Sequence, residues 1–324
     1  MTGRAYQEIT DRIIALLESG SIPWRKPWTS RSALPRNLVS KREYRGVNFF
    51  ILLAMEYESP YWLTFRQVAS FGATVKRGEK ACPLVFWKQI ATEDRKTGKT
   101  VDVPMLRYYH VFNTAQCEGL SEQVIEDAKS SSGCGQTAAE IVEGMPERPE
   151  IRHGFRSAFY SLHDDAVHMP DRERFNRIEA YYATLFHELV HATGHERRLN
   201  RKTLNEQAGF GSDPYCKEEL VAEMGAAFLS ASAGTADSTI ENSAAYLSAW
   251  ISRLSTDNSL VVQAASLAQR ATDFILRRDQ QGQAAGRGED NNPKPPGLES
   301  AEASPSGEPE TVPACSYQTH SPAG

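Results

Sequence analysis

The sequence lacks any run of apolar residues near the roughly 18 that a membrane-spanning helix needs. No apolar signal-peptide core follows the N-terminal Arg4, because charged and polar residues come next. Cysteine is also scarce: the chain has five, an odd number, and none forms a Cys-x-x-Cys pair. This usage excludes a disulfide framework and a cysteine-zinc module. Together these absences predict a cytoplasmic protein without a membrane partner.

Charge is distributed unevenly along the 324 residues, although the net charge is only -5. Residues 1–120 contain 18 Lys/Arg and 11 Asp/Glu, a net charge of +7, whereas residues 121–278 contain 16 and 23, a net charge of -7. Residues 279–324 contain 2 and 7, a net charge of -5. Such asymmetry indicates that the segments have different partners.

The residue patterns predict an α+β fold in four parts. Residues 1–120 combine a helix at 5–18 with short aromatic and β-branched strands at 61–65, 83–87 and 108–112. A linker is expected at 121–135, where small residues cluster. The expected remainder is a mainly helical domain at 136–278 with strands at 158–160 and 165–169, and a disordered acidic Pro/Gly-rich tail at 279–324.

The run HELVHATGH at 187–195 carries the clearest chemistry. His187 and His191 are four residues apart on an amphipathic helix, so both imidazoles can reach one metal ion. Glu188 is placed to take a proton from a water at that site without being a ligand itself. The alternative, two incidental surface histidines on a helix, is weaker because the motif is rare by chance. The pattern predicts a divalent metal, best Zn²⁺.

Two residues compete for the third ligand position. Glu219 and Glu223 are four apart on a second helix, a spacing that resembles the glutamate helix of gluzincin-type metallopeptidases. By that resemblance Glu219 is the ligand and Glu223 orients a histidine. The rival is His195, about 12 Å along a straight helix from His187, which favours contact with a ligand or substrate over metal binding.

Upstream of this helix, Phe159-Tyr160 and Asp165–Pro170 have the pattern of edge strands, which zincins use to bind extended peptides. Tyr160 and His168 are candidates to stabilise an oxyanion. Ordinary packing explains either residue equally well.

The basic segment contains 16 of the chain's 30 aromatic residues. Cations that follow phosphates and rings that stack on bases are what single-stranded DNA binding requires. Phe65, Phe86 and Trp87 lie in strand-like runs and are expected in the core, whereas Trp24, Trp28 and Tyr44 lie in turn-rich segments and are expected to be exposed. The full candidate set is Trp24, Arg25, Lys26, Trp28, Lys41, Arg42, Tyr44, Arg45, Lys76, Arg77 and Lys80.

Several motifs in matching order give the chain a family resemblance. The runs IPWRKPW (22–28), REYRGVN (42–48), the run at 61–88 and RYYHVFNTAQCEGL (107–120), followed by YYATLFHELVHATGH and EELVAEMGAAFL, resemble ArdC-type antirestriction proteins of plasmids. Similar modules precede plasmid-encoded primases. Ala192 departs from the aromatic residue expected there.

The resemblance implies a single-stranded DNA-binding domain joined to a zincin-like metallopeptidase domain, and protection of incoming plasmid DNA during conjugation. It places metal ligation on His187, His191 and Glu219, and the catalytic base on Glu188, with an unidentified protein substrate. The alternative is a single-stranded DNA-binding protein whose metal-bound zincin domain is a non-catalytic scaffold. A metal-dependent nuclease is weaker, since these residues suit one metal rather than a pair.

Overall fold

The computed structural model of the protein describes residues 2–25, 34–93, 100–130, 136–202, 213–235 and 244–278. The predicted tail at 279–324, Lys26 and Trp28 lie outside the described residues, as do residues 131–135 of the predicted linker. No described helix is both long and apolar enough to cross a membrane. Helices and small sheets alternate along the described chain, which confirms the α+β prediction.

The first third of the chain combines short helices with strands. The helices are α1 (Thr2–Glu18), α2 (Val47–Leu53) and α3 (Phe65–Ser70). The strands are β1 (Arg36–Asn37), β2 (Tyr61–Thr64), β3 (Thr74–Val75), β4 (Cys82–Glu93), β5 (Thr100–Asn113) and β6 (Cys117–Glu118). One sheet has the order β1-β2-β5-β4, in which β1 and β2 are parallel and the other pairs antiparallel, while β3 and β6 form a separate antiparallel pair.

The remainder is mainly helical, as the periodicity predicts. Its helices are α4 (Glu122–Ser130), α5 (Ala138–Gly144), α6 (Ile178–Ala192), α7 (Asp213–Ala233), α8 (Ala244–Thr256) and α9 (Leu260–Ile275). Its strands are β7 (Glu150–Arg152), β8 (Phe159–Ser161) and β9 (Ala166–His168). These strands form a sheet in the order β7-β9-β8, so β9 is central and β8 lies at an edge.

One hydrophobic core runs through both predicted domains. Phe49 and Phe50 of α2 pack against Phe228 of α7, with ring centroids 5.2 and 4.7 Å apart. At the N-terminus, Thr10 of α1 donates a hydrogen bond to the carbonyl oxygen of Asn258, which precedes α9. The basic and acidic segments therefore bury apolar surface against each other, and the predicted boundary at 121–135 does not divide the core.

Two exposure predictions for aromatic residues are wrong. Trp24 and Tyr44 are each only 2% exposed. Trp24 packs edge-on against Phe50 and Trp250, with centroids 6.1 and 5.4 Å away, because helices from the second half of the chain cover its turn-rich segment. In this structure neither Trp24 nor Tyr44 presents a ring face to a nucleic-acid base.

The core prediction for Phe65 is wrong in the opposite sense, because this side chain is 63% exposed. The predicted strand ends one residue early, at Thr64, which caps α3. The Thr64 side chain accepts a hydrogen bond from the Gln67 backbone N–H, and the Gln67 side chain accepts one from the Thr64 N–H. This capping box turns the chain from strand to helix and leaves Phe65 facing solvent. Phe86, in contrast, is buried as predicted.

Candidate metal centre

Three side chains from two helices converge on one point. His187 and His191 extend from α6, and Glu219 extends from α7, with one ligand atom of each lying within 4.8 Å of the others. The two Nε2 atoms are 3.1 Å apart. The Glu219 carboxylate lies 3.5 Å from the Nε2 of His187 and 3.6 Å from that of His191. The structure thus brings together the three residues that the sequence patterns and the resemblance select.

A close approach of the two helices makes this convergence possible. A Cβ atom at Gly225 of α7 would lie 2.7 and 2.9 Å from the methyl carbons of Val190 on α6. Only glycine accommodates this spacing without displacement, and Val190 is the immediate neighbour of His191. The contact therefore sets the separation between the histidine helix and the glutamate helix.

The second histidine is held from behind by a residue that the sequence patterns do not single out. The Nδ1 of His191 lies 3.3 Å from a carboxylate oxygen of Glu218. Glu218 is 3% exposed, and burial alone would raise its pKa. The hydrogen bond with His191 and the ion pair with Arg201 outweigh burial and hold that pKa well below its usual range. This carboxylate fixes the His191 ring with its Nε2 directed at Glu219.

The first histidine lies among three carboxylates. Glu223 is predicted to orient a histidine, but the Nδ1 of His187 is buried and makes no hydrogen bond among the described residues. Burial opposes protonation of His187. The hydrogen bond to Glu219 and the charges of Glu188 and Glu223 nevertheless raise its pKa to about 9. Glu218 makes an orienting contact with His191, and the orientation of a histidine by Glu223 stays a prediction.

Glu188 and His195 occupy separate positions around the three ligands. Glu188 is 8% exposed on α6, next in sequence to His187. His195 follows the end of α6, and its Nδ1 accepts a hydrogen bond from the Arg197 backbone N–H 3.2 Å away. It is not part of the three-residue group found among the described residues, and because α6 ends at Ala192 it does not lie on the straight helix that the distance argument assumed.

The prediction of two edge strands upstream of α6 is correct for one of the two segments. β8 is an edge strand, but the Asp165–Pro170 run is not, because its strand β9 pairs on both sides. The Tyr160 hydroxyl donates to an Asp165 carboxylate oxygen at 2.7 Å. His168 stacks on Phe159, with ring centroids 4.5 Å apart. These contacts are packing contacts within and beside the sheet, and an oxyanion role for Tyr160 or His168 stays a prediction.

The candidate DNA contacts are dispersed. Lys76, Arg77 and Lys80 lie in one exposed turn, and Arg42 is exposed on another. Arg45 instead forms an ion pair with Asp273 of α9, and Lys41 is half-buried. The side chain of Arg25 is outside the described part of the structure.

The donor set fits a divalent metal. Two imidazole nitrogens and one carboxylate oxygen are the ligands that a catalytic zinc site takes from its protein, with the fourth position open. Glu218 behind His191 supplies the outer contact that such ligands ordinarily have. No other described His, Cys, Asp or Glu joins the group.

Two family models match the chain. One, described as the N-terminal domain of anti-restriction factor ArdC, matches residues 3–112. The other, described as a zincin-like metallopeptidase, matches residues 140–267. The second range contains all three candidate ligands.

Solved structures and curated proteins show the same relationship. The chain is similar to crystal structures of antirestriction ArdC protein from the R388 plasmid at 35% identity. The metal-free structure has a TM-score of 0.68, with 85% of this chain and 98% of that one covered. The Mn(II)-bound structure has a TM-score of 0.66, with 84% and 97% covered.

Among curated proteins, the chain is 33% identical over 296 residues to DNA primase TraC of Escherichia coli. The match covers 85% of this chain, which spans only 27% of the primase length. It is also 32% identical over 289 residues to uncharacterized protein y4eC of Sinorhizobium fredii, with 83% and 91% of the two chains covered.

Proposed function

Since the chain belongs to the ArdC-type antirestriction protein family, we propose that it binds single-stranded DNA and carries a zinc metallopeptidase site. Its role would be to protect incoming plasmid DNA from host restriction during conjugation. The observation that carries the proposal is the convergence of His187, His191 and Glu219 beside the buried Glu188. The DNA part rests on the positive charge of residues 1–120 and on the match of their family model.

Zinc is the proposed ion because two nitrogens and one carboxylate oxygen form a catalytic zinc donor set. When bound, zinc would act as a Lewis acid that polarises a carbonyl group and makes water a stronger acid. The support for a divalent ion comes from the donor set and from the Mn(II)-bound R388 structure.

The protein's own residues would perform the proton transfers. Glu188 is the proposed general base, which takes a proton from a water and later delivers it to the departing amine of the cleaved peptide. Its burial excludes bulk solvent from the carboxylate. His191, held by Glu218, would keep its Nε2 directed at the site while charge develops.

The peptide substrate would bind along β8. This strand pairs with β9 on one side in the described structure, and both strands contact α6, which carries the two histidines. An extended peptide could therefore add to the sheet beside the metal centre through main-chain hydrogen bonds.

The test compares Glu188→Gln with wild type on a mixed peptide library, with cleavage read by mass spectrometry and metal content measured in parallel. Glu188→Gln should retain one metal ion per chain and lose cleavage, because the amide cannot take the proton. Glu179→Gln, in the first turn of the same helix, is the matched control and should cleave as wild type does. Cleavage that persists in Glu188→Gln would overturn the peptidase assignment.

Plasmid transfer separates protection by peptide cleavage from protection by DNA occupancy. Conjugation into a restricting recipient should fall to the level without the protein when Glu188→Ala replaces wild type. Full protection by Glu188→Ala would instead favour a metal-bound scaffold in which DNA binding alone protects.

A further inference from the structure

The exposed side of α3 joins aromatic rings to positive charge. Phe65 is 63% exposed at the start of this helix and Phe71 is 37% exposed just after its end. Phe65 lies beside Phe112 of β5, with ring centroids 6.4 Å apart. Large exposed apolar side chains are few in the described structure, and two of the five are these phenylalanines.

A basic turn is fixed at the end of β5, the strand that carries Phe112. The Lys76 ammonium donates to the carbonyl oxygen of Ala115, 2.8 Å away, and Gln116 donates to the carbonyl oxygen of Lys80 at 3.0 Å. Ala115 and Gln116 follow β5 directly, only a few residues after Phe112. The turn at 76–80 is thus held against the end of the strand that contributes a ring.

Within the segment that carries Phe65 and Phe71, one sign of charge dominates. Residues 65–80 contain four cations and one anion, Glu79. The Glu79 carboxylate accepts a hydrogen bond from the Gln116 side chain at 2.8 Å, so it is already engaged. Lys76, Arg77 and Lys80 are exposed.

We infer that this surface, termed the α3 surface, binds single-stranded DNA by stacking bases on its rings and pairing phosphates with its cations. It consists of Phe65, Phe71, Phe112, Lys76, Arg77 and Lys80. The inference rests on the proposed DNA-binding function and locates it. The exposed rings of the α3 surface take the place of Trp24 and Tyr44 as candidate DNA contacts, because those two side chains are buried in the core.

The chemistry of the α3 surface favours single-stranded DNA over a DNA duplex and over a protein partner. Flat exposed rings are useful only where bases are unstacked and unpaired, which favours a single strand over a duplex. The centre of a protein interface is normally depleted of lysine, whereas the turn held against the end of β5 carries three exposed cations. Phosphates supply the complementary negative charge for the three exposed cations.

The test measures anisotropy of a fluorescein-labelled oligo-dT, about 20 nucleotides long so that it exceeds one ordinary binding site, with full-length protein. Phe65→Ala and Phe71→Ala should each weaken binding by about tenfold, since a base–aromatic stack contributes on that scale. Phe65→Trp should restore binding. Ile178→Ala, another exposed apolar side chain but at the start of α6, is the matched control and should bind as wild type does.

A charge variant tests the second half of the inference. Arg77→Gln with Lys80→Gln should reduce the slope of log affinity against log salt by about 0.7 for each phosphate that no longer has a cation beside it. Because Arg77 and Lys80 are exposed, the melting temperature of this variant should match that of wild type. An unchanged melting temperature excludes misfolding as the cause of weaker binding.

The outcomes separate the two proposals. If wild type binds oligo-dT and the α3 variants bind equally well, the DNA-binding proposal stands and the α3 surface is wrong. If wild type fails to bind oligo-dT, both are wrong. Equal losses with a labelled duplex of the same length would overturn the preference for single strands, and an equal loss of binding in Ile178→Ala would overturn the location.

Discussion

Arg201 and Glu218 form a buried ion pair that supports the second histidine, with Nη2 and Oε1 2.6 Å apart and both side chains about 5% exposed or less. Arg201 also donates to the carbonyl oxygen of Val190 at 2.7 Å. The same Glu218 oxygen faces His191. Arg201 therefore ties the end of α6 to α7 and fixes the carboxylate that orients His191, a candidate metal ligand.

Removal of this guanidinium should weaken both the fold and the metal site. Arg201→Ala leaves Glu218 buried without its cation, and breaking a buried pair in this way typically costs about 3–5 kcal/mol of unfolding free energy. Loss of an outer contact to a metal ligand typically lowers metal affinity by about 10- to 100-fold. Denaturant unfolding of the metal-free protein and calorimetric titration with Zn²⁺ measure the two effects. The control is Lys202→Ala, an exposed neighbour; an Arg201→Ala protein with both values unchanged would contradict the role assigned to the pair.

The contact between Gly225 and Val190 predicts a size limit at the α6–α7 interface. Gly225→Ala should lower the unfolding free energy by about 1–3 kcal/mol, because the new methyl group overlaps the Val190 side chain. Gly144→Ala is the control, since an added Cβ there meets nothing within 4 Å. Combining Gly225→Ala with Val190→Ala should cost less than the sum of the single substitutions. Strict additivity would show that the two sites do not touch.

Trp24 should behave as a core residue rather than a DNA contact. Trp24→Ala is expected to cost about 3–5 kcal/mol of unfolding free energy, as truncation of a large buried aromatic usually does. Chemical denaturation followed by far-ultraviolet circular dichroism measures this cost. Among molecules that remain folded, the affinity for oligo-dT should be close to that of wild type. A stable Trp24→Ala protein without DNA binding would reverse this interpretation.

The shared core predicts that the basic segment does not fold alone. A fragment of residues 1–120 would expose the faces of Phe49 and Phe50 that α7 covers, and Trp24 would lose Trp250. We expect this fragment to aggregate or to unfold without a cooperative transition, whereas residues 1–278 unfold cooperatively. Calorimetry of both proteins measures the difference. A sharp transition in the fragment would mean that the N-terminal segment is an independent domain.

Local patterns predict the main helices and the candidate ligands, but they do not predict the short helices α2 and α3 or which aromatic side chains are exposed. The four-residue spacing of His187 and His191, and the gluzincin-like spacing of Glu219 and Glu223, each lie within one helix, so the sequence contains them. Whether Trp24 is covered depends on α8, more than two hundred residues later, which no local pattern records. Phe65 can be placed correctly from sequence, since Thr64 and Gln67 have the spacing of a capping box.

Contacts between distant segments account for what the sequence does not reveal at the site. No sequence pattern identifies Glu218, because the gluzincin-like spacing belongs to Glu219 and Glu223. Its partner Arg201 lies 17 residues earlier and approaches only because the chain turns after α6. An arginine whose role is to hold a carboxylate carries no motif, so only the three-dimensional packing reveals it.

Metal stoichiometry of two matched variants tests the central claim, that His187, His191 and Glu219 hold the metal. Wild type and His195→Ala should each retain one divalent ion per chain after equilibration with Zn²⁺ and desalting, as measured by inductively coupled plasma mass spectrometry. Glu219→Ala should retain much less, because only the two histidines remain. Retention by Glu219→Ala together with loss by His195→Ala would contradict the account and make His195 the third ligand.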